Sequence, residues 1–318
     1  MPNIQNITNC IDRMTSALTE LKRELSNYMS EMSVQSTQPA QSIPEQAQQS
    51  ADDFTSFEAL RKALESNKWP EAVNPNLICH PDNEQDKIER GRGIVELMIE
   101  EDLKGLKVLD FGCGEGQCCY AATDYNPSKV VGYDIEKYDT WEKYTDDSLL
   151  YTDDFDKVIE NGPYDVVVLF DVIDHVKKET PVAILEKIKS VLSDDGKIYV
   201  RCHPFISRHG THLYHELNKA YAHLVFTPNE LKTILPNPKW QEDSIGVIFP
   251  IKTYSSFFSD AGLEIINRRD VTEKVDSFFK IPKIAERIMQ TTNTATFPEF
   301  QMSIQFIDMT VKKPKADV

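Results

Sequence analysis

The stretch "VLDFGCGEGQ", Val108 to Gln117, decides the fold. Its first half is an apolar strand that ends in Asp110, and its second half sets Gly112, Gly114 and Gly116 on alternate positions ahead of a helix. Glycine belongs there because any side chain would block a ligand that approaches the backbone at the helix N-terminus. Such a loop alone is weak evidence. A second strand, "KVVGYDI", follows at the expected interval and ends in Asp134, where a carboxylate can take both hydroxyls of a ribose. Together the two features point to a nucleoside. A dinucleotide fingerprint would need its third glycine at position 117, and that residue is Gln117.

Working outward, strands and helices alternate from Lys104 onward. The strands are "KVLDF", "KVVGYDI", "SLLYT", "YDVVVLF", "GKIYVRC", "LEIINRR" and "MSIQFIDMTVK". Helical patterns between the earlier ones predict an α/β fold: a doubly wound, mostly parallel, seven-stranded sheet with helices on both faces. A long connection separates the last two strands, which are expected to pair antiparallel at one edge.

Before this domain the pattern changes twice. Ile4, Ile7, Ile11, Met14, Leu18, Leu21, Leu25, Tyr28 and Met32 recur at spacings of three and four, a heptad seam that predicts an oligomerising coiled-coil helix over 1–33. Few charges occupy the flanking positions, so strand number and orientation stay open. The tract "SVQSTQPAQSIPEQAQQSADD" is rich in Gln, Ser, Pro and Ala, lacks aromatics and has no hydrophobic period, so 34–52 is expected to be a disordered linker. Helices are expected at "FEALRKALES" and "NEQDKIERGRGIVELMIEEDL", which makes 53–103 a helical extension of the domain at 104–318.

Composition narrows the functions. The formal net charge is -16, so a polyanion such as duplex DNA is repelled and nucleic acid is a poor candidate partner. The N-terminus lacks a basic segment followed by an apolar one, and no apolar run approaches the ~20 residues that span a bilayer. The expectation is a soluble, cytoplasmic protein without a membrane partner. Cys10, Cys79, Cys113, Cys118, Cys119 and Cys202 fall at no zinc-like spacing and read as reduced thiols, with Cys118 and Cys119 as small fillers of a buried helix.

"VLDFGCGEG", "VVGYDI", "YTDDF", "YDVVVLFDVIDHV" and "VLSDDGKIYVRC", in this order and spacing, resemble the class I S-adenosylmethionine-dependent methyltransferases over about two thirds of the chain. The resemblance implies a Rossmann-like methyltransferase fold with S-adenosyl-L-methionine as cofactor. It implies Gly112 and Gly114 beside the methionine and ribose, Asp110 near the amino end, and Asp134 on the ribose hydroxyls. It further implies Asp153 or Asp154 near the adenine amino group, Phe155 flanking the adenine, and Asp171 closing the site beneath the sulfonium. After the fourth strand the chain reads "FDVIDHV". That is neither the Asn/Asp-Pro-Pro-aromatic signature of enzymes that methylate base amines nor the Pro-Cys of cytosine-C5 enzymes. The form is closer to a branch with many small-molecule and lipid methyltransferases.

Five of the seven histidines lie in "HPFISRHGTHLYHELNKAYAH", 203–223. His203 falls just past the end of the fifth strand, where open α/β sheets bind ligands. "THLYHELNKAYAHLVF" reads as a helix with Leu213, Leu217, Ala220 and Leu224 on one face and His212, His215, Glu216, Lys219 and His223 on another. Methyl transfer to oxygen or nitrogen requires that the acceptor be positioned and lose a proton, and a histidine suits the second task. His203, His209 and His212, in that order, are the catalytic candidates, with Arg208 available for an anionic group. A polar helix face and a metal site remain alternative readings of the cluster, and no metal ligand set is assigned. "FTPNEL" predicts a helix start capped by Thr227, and 235–251 is an inserted loop, either a lid or a decoration.

The function expected is methyl transfer to O or N of a small molecule, a sugar or an exposed protein group, by an oligomer assembled through residues 4–32. The competing expectation is an oligomeric structural or interaction protein with a vestigial methyltransferase fold. Blocks similar to 203–226 in phage-encoded methyltransferase-like proteins would make that protein virion-associated.

Overall fold

The computed structural model describes residues 54–73, 83–176, 180–210, 213–235 and 250–315. The heptad seam, the linker, His212 and most of the 235–251 loop lie outside the described residues.

Seven strands form one sheet: β1 (Lys107–Phe111), β2 (Lys129–Tyr133), β3 (Leu149–Thr152), β4 (Tyr164–Phe170), β5 (Leu192–Cys202), β6 (Glu264–Thr272) and β7 (Ile304–Lys312). Their order is β3-β2-β1-β4-β5-β7-β6. Pairing is parallel from β3 to β5; β7 runs antiparallel to β6, as expected from the sequence, and also to β5. The central strands carry unbroken apolar runs because both faces are covered: Val130, Val131, Val166, Val167, Leu169 and Ile198 are fully buried. Edge strand β6 is mostly exposed and carries Arg268, Arg269 and Asp270, charges that discourage pairing with another chain.

Helix α1 (Phe57–Leu64) is capped by Ser56, whose hydroxyl accepts from the Ala59 amide, and α2 (Glu84–Met98) is capped by Asn83. Next come α3 (Gln117–Ala122), α4 (Phe155–Asn161) and α5 (Pro181–Val191). Past β5 lie the short α6 (Ala222–Val225), α7 (Pro228–Ile234) and α8 (Ile251–Asp260), and beyond β6 come α9 (Pro282–Thr292) and α10 (Glu299–Ser303). Thr227 caps α7 in a reciprocal capping box with Glu230. Gly91 lets α2 lie directly on α3, since a Cβ there would stand 2.5 Å from the Gln117 carbonyl oxygen.

The single helix expected over 211–226 is not found among its described residues, 213–226. Leu213–His215 makes one 3-10 turn, and helix resumes only at Ala222, after Tyr221 in the left-handed region at φ 52°. Tertiary bonds override the local pattern. Asn218 accepts from the Val73 amide and donates to its carbonyl, the Ala220 amide donates to Pro70, and Trp69 Nε1 donates to the Ala220 carbonyl. Trp69 also stacks on Phe226 at 5.6 Å, centring a second apolar core away from the sheet. Segment 54–73 thus fixes the shape of the histidine-rich segment.

Candidate active site

Strand order reverses at β1. The chain leaves it toward β2 and β3, then returns to place β4 on its other side, so a crevice opens beyond the C-terminal ends of β1 and β4. A cavity of about 300 Å³ lies there, lined by Asp110, Gly112, Gly114, Phe170 and, from α2, Lys87 and Arg90. Gly112, Gly114 and Gly116 have φ of 82°, 50° and 91°, which L side chains rarely adopt. A Cβ on Gly114 would meet nothing within 4 Å; one on Gly112 would strike the Val172 side chain at 2.6 Å. Backbone is therefore laid bare to whatever enters.

The loop is held from behind. Gly114 N–H donates to Asp134 Oδ2 at 2.9 Å, and Asp134 Oδ1 accepts from the Glu136 amide. Trp141 Nε1–H donates to the Gly114 carbonyl and Tyr151 O–H to the Gly116 carbonyl, each at 2.8 Å, and the two rings stack at 5.3 Å. Asp134 laces the glycine loop to the end of β2 and, like Asp153, does not itself line the cavity. These two aromatics are invisible to motif reading, because only the fold brings them under the loop.

Asp110 lines the cavity, yet it is buried and accepts from Cys119 Sγ at 3.2 Å. Burial pushes its carboxyl up to about 6. Burial likewise raises the Cys119 thiol far above its ordinary range, which fits an inert filler, while the Cys118 thiol, raised in the same direction, belongs to a partly exposed residue that lines the cavity. Cys113, Cys118, Cys119 and Cys202 are free thiols.

At the turn after β3, Asp154 caps α4 by accepting from the Asp156 amide, while Asp153 is exposed beside it. Phe155 packs against Phe111 and Tyr133, with the Lys187 ammonium over its ring. None of these three residues lines the cavity.

Across the crevice, past β4 and β5, a polar cluster forms. Asp171, in the left-handed region at φ 54°, brings Oδ1 to 3.4 Å from His203 Nε2. Asp174, fully buried, accepts from the His203 amide at 3.1 Å, and its Oδ2 is 3.8 Å from His203 Nε2. His203 Nδ1 is 3.1 Å from His209 Nε2. Phe306 packs on both imidazoles, and the Tyr214 ring meets His209 edge-on at 5.8 Å.

Burial pushes Asp174 up to about 7, reinforced by the nearby Asp171 charge. For His203 burial opposes protonation, but Asp171 and then Asp174 outweigh it and leave the imidazole above its ordinary range. His209 is driven down to about 3 by burial and by His203, so it is neutral.

The structure therefore joins His203 and His209 and adds Asp174, which the sequence reading passed over three residues beyond Asp171. It corrects three expectations. His223 does not lie on a polar face: it is buried, donates from Nε2 to the Phe205 carbonyl at 2.7 Å, and is depressed by burial to about 4. His215 and Glu216 share no helix face with it. Arg208 is committed to structure, bonding the Glu71 and Ala72 carbonyls and the Asp276 carboxylate. Lys87 and Arg90 were also missed, because no local pattern shows that α2 folds over the crevice.

The curated tRNA U34 carboxymethyltransferase of Campylobacter lari is 27% identical over 107 residues, 31% of this chain and 36% of that protein, so the match spans about a third of the relative's length. The magnesium protoporphyrin IX methyltransferase of Synechocystis, solved with bound SAH, is similar at TM-score 0.45 and 14% identity over 83% of this chain and 98% of that one. A SAM-dependent methyltransferase from Archaeoglobus fulgidus is similar at TM-score 0.45 and 15% identity, over 71% and 94% of the two chains. A family pattern described as a methyltransferase domain matches residues 83–267, more than half of the chain and the whole span from the capped start of α2 into β6. With a glycine loop at the switch point of a seven-stranded sheet whose last strand is antiparallel, this chain belongs to the methyltransferase-domain family.

Proposed function

We propose that the chain transfers a methyl group from S-adenosyl-L-methionine to an oxygen or nitrogen of a small molecule, a sugar or an exposed protein group. The observation that carries this is the bared glycine backbone at the β1/β4 crevice with the Asp171–His203–His209 chain beside it. The cavity fits the cofactor: Gly114 leaves open space where any side chain would intrude, and Asp110 offers a carboxylate at one wall. When bound, the cofactor supplies an electrophilic methyl group.

The protein's own residues do the rest. Gly112 and Gly114 let the donor approach main chain. Asp110 takes its amino group, Asp134 its ribose hydroxyls, and Asp153 stands at the adenine end, since Asp154 is spent on capping α4. On the acceptor side, Asp171 holds His203 Nε2, and His209 fixes the other ring nitrogen, so the imidazole is oriented before the acceptor arrives. Pre-set geometry is what an in-line displacement most needs. The net charge of -16 favours an acceptor other than a nucleic-acid duplex.

Calorimetric titration with S-adenosylhomocysteine tests the reading, with Asp134→Ala as the control. Binding that the variant loses is the expected result; a folded chain that binds no product would overturn it. The heptad seam is proposed to assemble the chain into an oligomer, and removing residues 1–33 should leave a monomer by sedimentation. Among the described residues no helix is long and apolar enough to cross a membrane.

A further inference from the structure

We propose that Asp171, Asp174 and His203 form a binding site for a first-row divalent cation, Mn²⁺ or Zn²⁺, at the acceptor edge of the crevice. One ligand atom from each residue lies within 4.8 Å of the other two. The His203 Nε2 separations, 3.4 Å to Asp171 and 3.8 Å to Asp174, are near the ~3–3.5 Å expected between ligands that surround one ion at ~2.1 Å.

Two independent observations point to a ligand. Asp174 is fully buried, gives Oδ2 to the His203 amide, and keeps Oδ1 buried without a hydrogen-bond partner among the described residues. A buried carboxylate oxygen in that state is costly unless something positive meets it. The second is the setting of His203. Its Nδ1 is joined to His209 Nε2, which is the outer hydrogen bond that metal-bound histidines use to fix their tautomer. Nε2 faces both carboxylates, and a bound ion would replace the proton that Nε2 shares with Asp171, with Nδ1–H then donating to His209.

A divalent ion beside neutral imidazole would balance two ionised carboxylates in this largely buried cluster. The nearby Arg201 does not supply the balance, since its guanidinium is held bidentate by Asp308 at 2.6 and 2.7 Å. One nitrogen and two carboxylate oxygens suit Mn²⁺ and Zn²⁺.

The site adjoins the cavity: Phe170 lines the cavity and precedes Asp171, and the Val172 side chain faces Gly112. A cation there could take an acceptor oxygen and ease loss of its proton. That role rests on the methyl-transfer reading, but binding of the ion does not.

The test uses the full chain freed of metal by chelation and titrated with Mn²⁺, read by loss of the free-ion spin resonance, and with Zn²⁺ by calorimetry. Neither cofactor nor acceptor is present, so failure here is separate from failure of the methyltransferase reading. One ion per chain is expected, weakened at least about tenfold in both Asp174→Asn and Asp171→Asn, with His209→Ala losing about 10–100-fold. Near-UV circular dichroism checks folding, and Asp171→Asn, at a partly exposed position, decides if the buried variant does not fold. No ion bound by the wild-type chain, or binding undiminished in the folded carboxamide variants, would overturn the proposal.

Discussion

The two walls of the crevice are built by opposite means. The glycine wall is local: Asp110 to Gly116 are consecutive, and their partners Asp134, Trp141 and Tyr151 all follow by the end of β3. The histidine wall is assembled from distance. His203 meets Asp171 and Asp174 from β4 and its following turn, Phe306 comes from β7, and the backbone beyond His209 is set by residues 69–73. A wall of backbone needs one conformation in one loop, whereas a wall of side chains needs several elements to arrive in register.

The contrast can be broken first at its most sensitive point. His203→Ala should lower turnover on an identified acceptor by about 10²–10⁴-fold while leaving product affinity unchanged; steady-state kinetics beside calorimetry checks both halves. An equal loss of affinity would show that the two walls do not act separately. On the opposite wall, Gly114→Val should weaken S-adenosylhomocysteine binding by about 1–3 kcal/mol or more, since it puts a branched side chain into the cavity at a positive φ.

Asp110 sharpens the comparison through pH. Burial raises its pKa to about 6, above the ordinary carboxylate value, so it is protonated below that pH, and under the proposed role only its ionised form would pair with the cofactor's ammonium. Product affinity should be flat above pH 6 and should fall toward about tenfold per pH unit below it, a dependence lost in Asp110→Asn. Stability runs the other way. The folded form still holds a proton that the unfolded chain has released, so the ligand-free chain loses stability as pH rises from the ordinary carboxylate value to about 6. Thermal melts of Asp110→Asn should lack that loss.

The smallest expected effect lies far from the chemistry. Asn218→Ala removes both bonds to Val73 and should cost about 1–2 kcal/mol in denaturant unfolding, with some loss of turnover because His209 lies on the same segment. A change in stability with turnover untouched would separate the second core from the histidine wall.

Most of the sheet was legible because β1, β2, β4 and β5 are short apolar runs alternating with helical patterns, the mark of strands buried on both faces. The antiparallel β7 was legible from the long connection ahead of it. The segment after β5 misled because Leu213, Leu217, Ala220 and Leu224 do recur at helical spacing, yet Asn218 and Ala220 find better partners in residues 70–73 than in a helix of their own. Phe155, expected beside the adenine, packs onto Phe111 and Tyr133, an orientation that its place after the acidic turn does not specify.

The sequence by itself determined the α/β class, the switch point and the glycine backbone at its mouth, because these depend on steric rules that act between neighbours in the chain. Only the tertiary structure decided that Asp174 joins Asp171 at His203, that His209 stands behind it while His223 is sealed in the second core, and that α2 forms part of the cavity wall. Those arrangements follow from packing and hydrogen bonding between residues up to about 150 positions apart, such as Trp69 and Ala220.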